Sequence, residues 1–238
     1  MKSIRLTVMF LLVGLLIISA IATARAAESW VSDPATGCKI GWVSYFTLSS
    51  ASWSGPVVDG KAEGKGTLTL TVRDKDGKDW KYWGEAEMVA GLLDGKVTMK
   101  WSHGVSYDGD YKAGKREGKG ITKWSNGQIY EGDYKADQVE GKGIMKEANG
   151  QIYEGEWIAG QHDGKGVMKW PNGQTYNGDW KKGMMNGKGI LKFPKGAIYE
   201  GDLRNDNLNG YGVLKESNGK VIYEGQWKDG KYDSGQQL

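Results

Sequence analysis

Four kinds of side chain in this sequence could carry chemistry: lysines in glycine-rich strings, two histidines, one cysteine and many carboxylates. The strings GKAEGKG (residues 60–66) and GKREGKG (residues 114–120) superficially resemble phosphate-binding loops. In both, the spacing from the first glycine to the Gly-Lys pair is one residue too short, and no Ser or Thr follows the lysine directly to bind Mg²⁺. Related strings recur along the chain, so their cause is structural, and no nucleotide site is predicted.

The histidines and the cysteine have no partners at a useful spacing. His103 in the string SHG and His162 in the string QHDG are predicted to be turn residues, because neither has Cys or His at metal-ligand spacing. Cys38 lacks a nearby histidine and is expected to be a free thiol or one half of an intermolecular bridge. No metal, cofactor or covalent catalyst is predicted.

The carboxylates by themselves do not identify an enzyme. A glycosidase needs two of them roughly 5–9 Å apart, and neighbouring β-strands bring acids that close almost anywhere. An active site should instead interrupt a regular pattern. The marked departures are residues 67–106, where WKYWGEAE (Trp80–Glu87) crowds aromatic and acidic side chains, and the Met184–Met185 step. A degenerate repeat explains the first departure more simply, so the sequence predicts a protein that is not an enzyme.

The elements that would position any functional group are built from aromatic rings and glycines. Glycine supplies 38 of the 238 residues, about twice the usual share. Eleven Trp and twelve Tyr accompany only three Phe, so rings with a polar end dominate. This composition does not favour a compact apolar core.

The N-terminal segment, residues 1–26, differs from the rest of the chain. A basic start, MKSIR, precedes a continuous apolar run (Leu6–Ala22), and Ala24 and Ala26 fit the A-x-A pattern of signal peptidase. We expect a cleaved signal peptide over residues 1–26, with an uncleaved N-terminal anchor as the alternative, because the apolar run is only just long enough to span a membrane. Both place the remaining chain across the inner membrane, in the periplasm or outside the cell.

The same segment also sets the charge of the whole chain. It contains three basic residues and no acid, so the formal net charge of +3 falls to zero without it. A neutral remainder supports neither nucleic-acid binding nor a globally basic surface for anionic lipids. No nucleic-acid partner is predicted.

A repeat of constant length organises the rest of the chain. Its leading aromatic residue occurs at Tyr107, Tyr130, Tyr153, Tyr176 and Tyr199, then at Tyr223, one position later than the interval predicts, and looser copies begin at Trp53 and Tyr82. A glycine follows two positions later in every copy, and the regular copies have Gly109, Gly132, Gly155, Gly178 and Gly201 there. Further glycines follow at offsets eleven and thirteen from the aromatic residue, and each clear copy closes on a turn signal such as SNG or PNG.

Each copy predicts two short strands joined into a hairpin. The string YEGDY alternates aromatic with acidic residues, which is typical of a strand with one dry and one wet face, and a string such as GKGIMK gives the second strand. The dry face then carries rings and glycines, and the wet face carries acids and lysines. A ring from a neighbouring hairpin can lie on these glycines because no Cβ stands in its way.

The sequence therefore predicts an all-β fold, an elongated single sheet of about eight antiparallel β-hairpins. The predicted boundaries are 1–26 for the signal peptide, 27–52 for an N-terminal cap, 53–106 for two degenerate repeats, 107–222 for five regular repeats and 223–238 for a terminal half repeat. A single hairpin is not stable in water, so each one is expected to depend on its neighbours. With strands ~4.8 Å apart, the ribbon should extend roughly 75–80 Å.

On these residues the chain resembles the MORN repeat (membrane occupation and recognition nexus), whose usual pattern is Y-E-G-x-W with the same later glycines. Tyr153–Gly173 matches that pattern almost residue for residue, and the resemblance covers residues 107–233 strongly and 53–106 loosely. It implies a hairpin array that acts as a scaffold or dimerising module. The segment around Cys38 is also similar to the start of exported bacterial repeat proteins of this kind, in which a second cysteine often occurs in the region where this chain has Val57.

We expect a non-catalytic interaction or scaffold protein of the bacterial cell envelope. Its partners would be other proteins or a second copy of the chain, bound along a groove of aromatic side chains. The candidate groove residues are Tyr107, Tyr111, Trp124, Tyr130, Tyr134, Tyr153, Trp157, Trp170, Tyr176 and Trp180. The alternatives are binding to a membrane lipid surface and binding to carbohydrate through stacked Trp rings.

Overall fold

The structure is a computed structural model that describes residues 27–44 and 47–232. The predicted signal peptide, residues 1–26, lies outside this range. The described residues form β-strands and no helix, and so include no helix that could span a membrane. The strands are β1 Ala27–Ser32, β2 Lys39–Ser44, β3 Thr47–Trp53, β4 Val57–Val58, β5 Lys61–Ala62, β6 Gly64–Arg73, β7 Asp79–Val89, β8 Leu92–Trp101, β9 Ser106–Lys112, β10 Lys115–Lys123, β11 Ile129–Lys135, β12 Gln138–Lys146, β13 Ile152–Ile158, β14 Gln161–Lys169, β15 Thr175–Lys181, β16 Met184–Lys192, β17 Ile198–Arg204, β18 Asn207–Lys215, β19 Val221–Lys228 and β20 Lys231–Tyr232.

Sixteen of these strands form one antiparallel sheet in which β3 is one edge, β20 is the other, and β6 to β19 follow each other in chain order. This arrangement confirms the predicted array of antiparallel hairpins. At ~4.8 Å per strand, sixteen strands extend about 70 Å. The last unit, expected to stop after one strand, has a short second strand, β20, which pairs with Trp227 and Lys228.

Each regular hairpin closes through a two-residue turn that the sequence analysis did not identify. In the unit that begins at Tyr153, the turn consists of Ala159 (φ 49°) and Gly160 (φ 76°), so both residues have the positive φ of a type I′ turn. The second strand begins directly after it, at Gln161. The predicted second strand, which began at the later glycines, is therefore too short by several residues. The turn at the other end of the unit, at PNG, is present as predicted.

A β-bulge in the second strand of the hairpin explains one of its glycines. Gly155 lies opposite Gly166 and Trp157 lies opposite His162, so three residues of β14 face one residue of β13. Gly164, at the centre of the three, has φ +94°, a conformation that other residues rarely adopt. The bulge adds two residues, an even number. Side chains before and after it in β14 therefore alternate between the two faces of the sheet in the same phase.

The other glycines form a floor for the leading tyrosine, as predicted, but within the same hairpin. A Cβ on Gly155 would lie 2.6 Å from the Tyr153 hydroxyl, and one on Gly166 would lie 2.6 Å from the Tyr153 ring. The hydroxyl donates a hydrogen bond of 2.9 Å to the carbonyl of Glu156. The expectation that each ring lies on the glycines of a neighbouring hairpin is thus wrong, because the ring leans along its own strand.

Contact between successive hairpins comes instead from the aromatic residue four positions after the leading tyrosine. Trp157 makes edge-to-face contacts with Tyr153 (5.1 Å between ring centroids) and with Tyr130 of the preceding unit (5.6 Å). Its indole Nε1 donates a hydrogen bond of 3.1 Å to the carbonyl of Gly143, also in the preceding unit. Similar contacts recur along the sheet, so the core is a row of rings that is interrupted at Leu203, where leucine replaces this aromatic residue.

Residues 27–44 and 57–62 form a small sheet of their own, with strand order β1, β2, β5, β4. One face of it is buried, through Ile40, Ala62 and the free cysteine Cys38, which is 1% exposed. The carboxylate of Asp33 accepts hydrogen bonds from Ala35 N (2.7 Å) and from Trp53 N (2.9 Å), which links this segment to β3 of the long sheet. Burial of Cys38 means that an intermolecular disulfide would require this packing to open.

Candidate functional site

The structure places eight of the ten candidate groove residues in the core. These eight are at most 8% exposed, and they are Tyr107, Tyr111, Tyr130, Tyr134, Tyr153, Trp157, Tyr176 and Trp180. Only Trp124 and Trp170 are half-buried at the surface of the core. A partner or a sugar ring therefore has access to these two residues, whereas the other eight serve the packing of the sheet.

The leading tyrosines are also unsuited to acid–base chemistry. Their hydroxyls donate to the backbone carbonyl three residues further on, as in Tyr107, Tyr153 and Tyr199. Burial raises their pKa, in Tyr199 to about 12, so they stay protonated at physiological pH. No described feature of these hydroxyls sets one unit apart from the others.

His162 is not a turn residue, contrary to the prediction. It lies in β14, and its ring stacks on Tyr153 at 3.7 Å between centroids with an interplanar angle of 15°. Trp157 and Trp180 contact its edges at 4.5 and 5.3 Å. Burial lowers its pKa to about 4, so it is a neutral packing residue. His103 does lie in a turn, where its ring meets Trp80 edge-on at 4.9 Å.

His162 identifies a position that the sequence analysis missed, nine positions after the leading tyrosine. The side chain there lies on the aromatic face, and it varies along the array in the order Arg116, Val139, His162, Met185 and Leu208. The Arg116 guanidinium lies 4.7 Å from the ring centroid of Tyr134, which makes it a cation–π partner. Extending the alternation of faces back from the later glycines, through the bulge, would have found this position.

Many carboxylates of the repeats have structural partners. Asp133 forms an ion pair of 2.6 Å with Lys119 and accepts a hydrogen bond of 2.9 Å from Lys142 N at the bulge. Partial burial opposes ionisation of Asp133, but these two partners hold its pKa below the usual value. Glu140 accepts a hydrogen bond of 2.9 Å from Ala159 N, in the turn of the following unit. Equivalent contacts recur in other units, so these acids hold strands and turns together.

The irregular region of residues 67–106 contains long strands, and its acids Asp74 and Asp79 have structural hydrogen-bond partners. Asp79 forms a two-fold hydrogen bond with Arg73 (2.7 and 2.9 Å), and Asp74 accepts a hydrogen bond of 2.9 Å from the Trp80 indole. These bonds keep the pKa of both carboxylates low. Within residues 27–44 and 47–232, no group of three His, Cys, Asp or Glu side chains could hold a metal ion.

Among the rings that remain accessible to a partner, one row lies at one edge of the ribbon, where the second strand of each hairpin ends. We define this rim row as Trp101, Trp124, Trp170 and Phe193, all of which are half-buried. Glu147 interrupts the row and is hydrogen-bonded to Gln128. The rim row thus presents half-buried rings beside a packed core.

Comparison with known proteins identifies the repeat. A protein-family model described as "MORN repeat" matches this chain. The matched residues are 55–72, 107–129, 130–152, 153–175, 176–198, 199–221 and 223–233, which together are more than half of the chain. No curated protein matches the sequence. Among solved structures, the wild-type TCP10 domain of Danio rerio CPAP is similar, with 13% identity, 83% of this chain and 99% of that chain covered, and a TM-score of 0.21. The five consecutive units of equal length match the observed hairpins, and the chain belongs to the MORN repeat family.

Proposed function

We propose that this protein is a scaffold of the bacterial cell envelope that binds another protein along the rim row. Its repeats belong to a family of interaction modules, which supports a binding role without naming a partner. The observation that carries the proposal is that Trp124, Trp170 and Phe193 stay half-buried at one edge, while most of the other repeat rings are packed inside. Half-exposed Trp and Phe beside a rigid core are typical of residues that dominate binding energy.

The geometry indicates what kind of partner fits. Successive units are two strands apart, so neighbouring rim positions lie about 10 Å from each other, and Trp124 and Trp170 lie about 20 Å apart. An extended peptide with apolar side chains at similar spacing could contact several rim residues at once. Because the ribbon is held by packing between all units, such a partner would meet a surface that is already in place.

Site-specific photocrosslinking in intact cells tests this proposal. A photoreactive phenylalanine is placed at position 124 or 170, and in control variants at Lys123 or Lys169, which are exposed on the opposite face. We expect protein crosslinks from positions 124 and 170 and few from the controls, with mass spectrometry identifying the partner. Equal crosslinking from both faces, or none from the rim positions, would contradict the proposal.

Self-association along the same row is the related possibility, and it has a separate test. The purified chain is examined by light scattering at increasing concentration, together with a Trp124→Ser, Trp170→Ser variant. If the partner is a second copy, the wild-type chain will be a dimer or larger assembly and the variant a monomer. A monomeric wild-type chain would leave another protein as the partner.

A further inference from the structure

The outer face of the long sheet carries an exposed tryptophan in the irregular region. Trp83 in β7 is 42% exposed, whereas Leu68 and Leu70 of the adjacent strand, on the inner face, are at most 1% exposed. In the part of the chain that the structure describes, Trp83 forms no hydrogen bond or ring contact, and no cation lies over its ring. Trp30, by contrast, lies beneath the Lys61 ammonium at 5.3 Å. The Trp83 indole is therefore available to a ligand.

The regular units have no counterpart of this ring. Trp83 lies three positions before Ala86, the residue at which the bulge of its hairpin begins. At the same distance from the bulge, the regular units have a half-buried Ser, Thr or Ile, namely Ser106, Ile129, Ile152, Thr175 and Ile198. The exposed ring thus interrupts the regular pattern, which is what a ligand site in a repeat protein is expected to do.

Hydroxyl side chains surround the Trp83 ring. Thr69 lies directly opposite Trp83 on β6, and Ser52 lies opposite Thr69 on β3. Two further exposed hydroxyls lie one row away, on Thr67 and Thr98. None of these four hydroxyls forms a hydrogen bond with another described residue. We define the Trp83 surface as Ser52, Thr67, Thr69, Trp83, Thr98 and Lys100.

The charges around the ring cancel. Lys100 lies opposite Trp83 on β8, and Lys81 lies two residues before it on β7. The acids Glu85 and Asp108 lie on the same face, each opposite Thr98. Two basic and two acidic side chains leave no net charge, so a polyanion such as a nucleic acid has no electrostatic reason to bind here.

An apolar protein segment is also a poor match, because the ring is isolated. Residues that dominate protein interfaces lie among other apolar side chains in a core that excludes water. The outward neighbours of Trp83 are all polar, and they are Thr69, Lys81, Glu85 and Lys100. The matching ligand presents apolar surface over one ring and hydrogen-bonding groups around it.

We propose that the Trp83 surface binds a neutral oligosaccharide, with one sugar ring stacked on the Trp83 indole. The C–H groups on one face of a sugar ring carry partial positive charge, which the negative face of the indole attracts. The sugar hydroxyls are both donors and acceptors, as are the hydroxyls of Ser52, Thr69 and Thr98. The rim row packs against the core on the other face, so this site is independent of the proposed protein partner.

Saturation-transfer difference NMR with the purified chain tests the proposal. The method detects weak binding, which is expected because a flat surface buries less of a ligand than a cleft does. The neutral probes are cellohexaose, chitohexaose and maltohexaose, and the acidic probes are hexagalacturonic acid and oligothymidylate. We expect transfer to at least one neutral probe, strongest at the C–H protons on one face of a sugar ring, and weaker transfer to the acidic probes.

A variant at position 83 tests the stacking. Trp83→Thr introduces the residue found at the equivalent Thr175, so the fold should be kept, which circular dichroism checks. Titration with the neutral probe should show about tenfold weaker binding, because the stacked ring is lost. The matched control is Tyr211→Thr, which removes a ring that is 50% exposed on the same face of β18 and should leave binding unchanged.

A second variant separates a sugar from an apolar partner. Thr69→Val keeps the shape of the side chain and its preference for a strand but removes the hydroxyl. A sugar should bind this variant about threefold to tenfold more weakly, because one hydrogen bond is lost. Equal or tighter binding would show that the Thr69 hydroxyl does not recognise the ligand and would contradict the proposal.

Three further results would overturn it. Absence of transfer to every neutral probe would show that no such sugar binds. An equal loss of affinity in Trp83→Thr and Tyr211→Thr would show nonspecific attachment to exposed rings. Tighter binding of hexagalacturonic acid or oligothymidylate, lost in high salt, would instead indicate an anion site at Lys81 and Lys100.

Discussion

At the scale of single residues, this protein depends on tyrosine rings that lie on glycines of their own hairpin. Tyr153 shows why both residue types are needed. Its ring occupies the space that a Cβ on Gly166 would take, and its hydroxyl satisfies the Glu156 carbonyl. A smaller side chain in place of the tyrosine would leave a cavity, and a larger residue in place of the glycine would displace the ring.

The first prediction concerns that contact. Gly166→Ala should lower the free energy of unfolding by roughly 2–3 kcal/mol, because the added methyl overlaps the Tyr153 ring. The matched control is Gly160→Ala, in the turn, where nothing lies within 4 Å and only the positive φ of 76° is unfavourable. That variant should cost about 1 kcal/mol. Urea denaturation compares the two, and equal losses would show that steric overlap with the ring is not important.

The second prediction concerns pH. Burial lowers the pKa of His162 to about 4, below the ordinary value of about 6.5, so the unfolded chain binds a proton that the folded chain does not bind between these values. Stability should therefore be lost as pH falls from 6.5 towards 4, by roughly 2 kcal/mol at pH 4.5. Leucine occupies the equivalent position at Leu208, so His162→Leu should remove this part of the pH dependence and keep the fold. Identical pH profiles for the two proteins would refute the assignment.

At the scale of elements, each hairpin is completed by the next. Trp157 contacts the Tyr130 ring of the preceding unit and donates a hydrogen bond to the Gly143 carbonyl. Glu140 accepts a hydrogen bond from the Ala159 amide of the following unit. The backbone adds a further bond of 2.9 Å from the amide at the next turn position to the second strand of the preceding unit. Rings, acids and turn amides thus join the same two units at several points along their length.

The third prediction tests the ring contact between units. Trp157→Leu gives this unit the residue found at Leu203, which removes three edge-to-face ring contacts and one indole hydrogen bond. The cost should be roughly 2–4 kcal/mol. Hydrogen exchange should increase most for amides of β12 and β13, on the two sides of the contact. An increase spread evenly over the sheet would instead indicate global destabilisation without a local junction.

The sequence predicted these elements well where alternation of faces was uninterrupted. In β13, residues of YEGEW alternate between more buried and more exposed faces as expected. The turn at Ala159–Gly160 was missed because Ala-Gly lacks the usual Asn-Gly or Asp-Gly signal. The position of His162 was missed for the same reason, because a string that looks like a turn is in fact the start of β14.

At the scale of the whole molecule, one long sheet is a sum of similar units. Each unit contacts mainly its neighbours, so stability should change in steps as units are added or removed. The small sheet at the N-terminal end does not repeat the pattern, and the Asp33 contact with Trp53 N links it to the edge of the long sheet.

The fourth prediction follows from that modularity. Deletion of residues 153–175 removes one complete unit and brings Lys142 opposite Asp179, which preserves a pairing of lysine with acid. The shortened protein should fold, and its length by X-ray scattering should decrease by about 10 Å. Deletion of β13 alone should prevent folding. The deletion joins β12 to β14, and both are second strands of a hairpin, so their faces and turns do not match. A complete loss of structure in the first deletion would contradict independent units.

The sequence by itself determined the constant period of the repeat, the two strands of each unit, the face on which rings and glycines lie, and the all-β array. These follow from local alternation and from regular spacing, which the chain carries in its letters. The tertiary structure decided that eight candidate rings are buried, that their glycine floor lies within the same hairpin, and that only Trp124 and Trp170 of the candidates reach the surface. The physical reason is that the exposure of a side chain depends on which ring of the next unit covers it, and on the bulge and turn that set the register between strands. Both the covering ring and the register involve more than one strand, so the alternation within a single strand does not determine them.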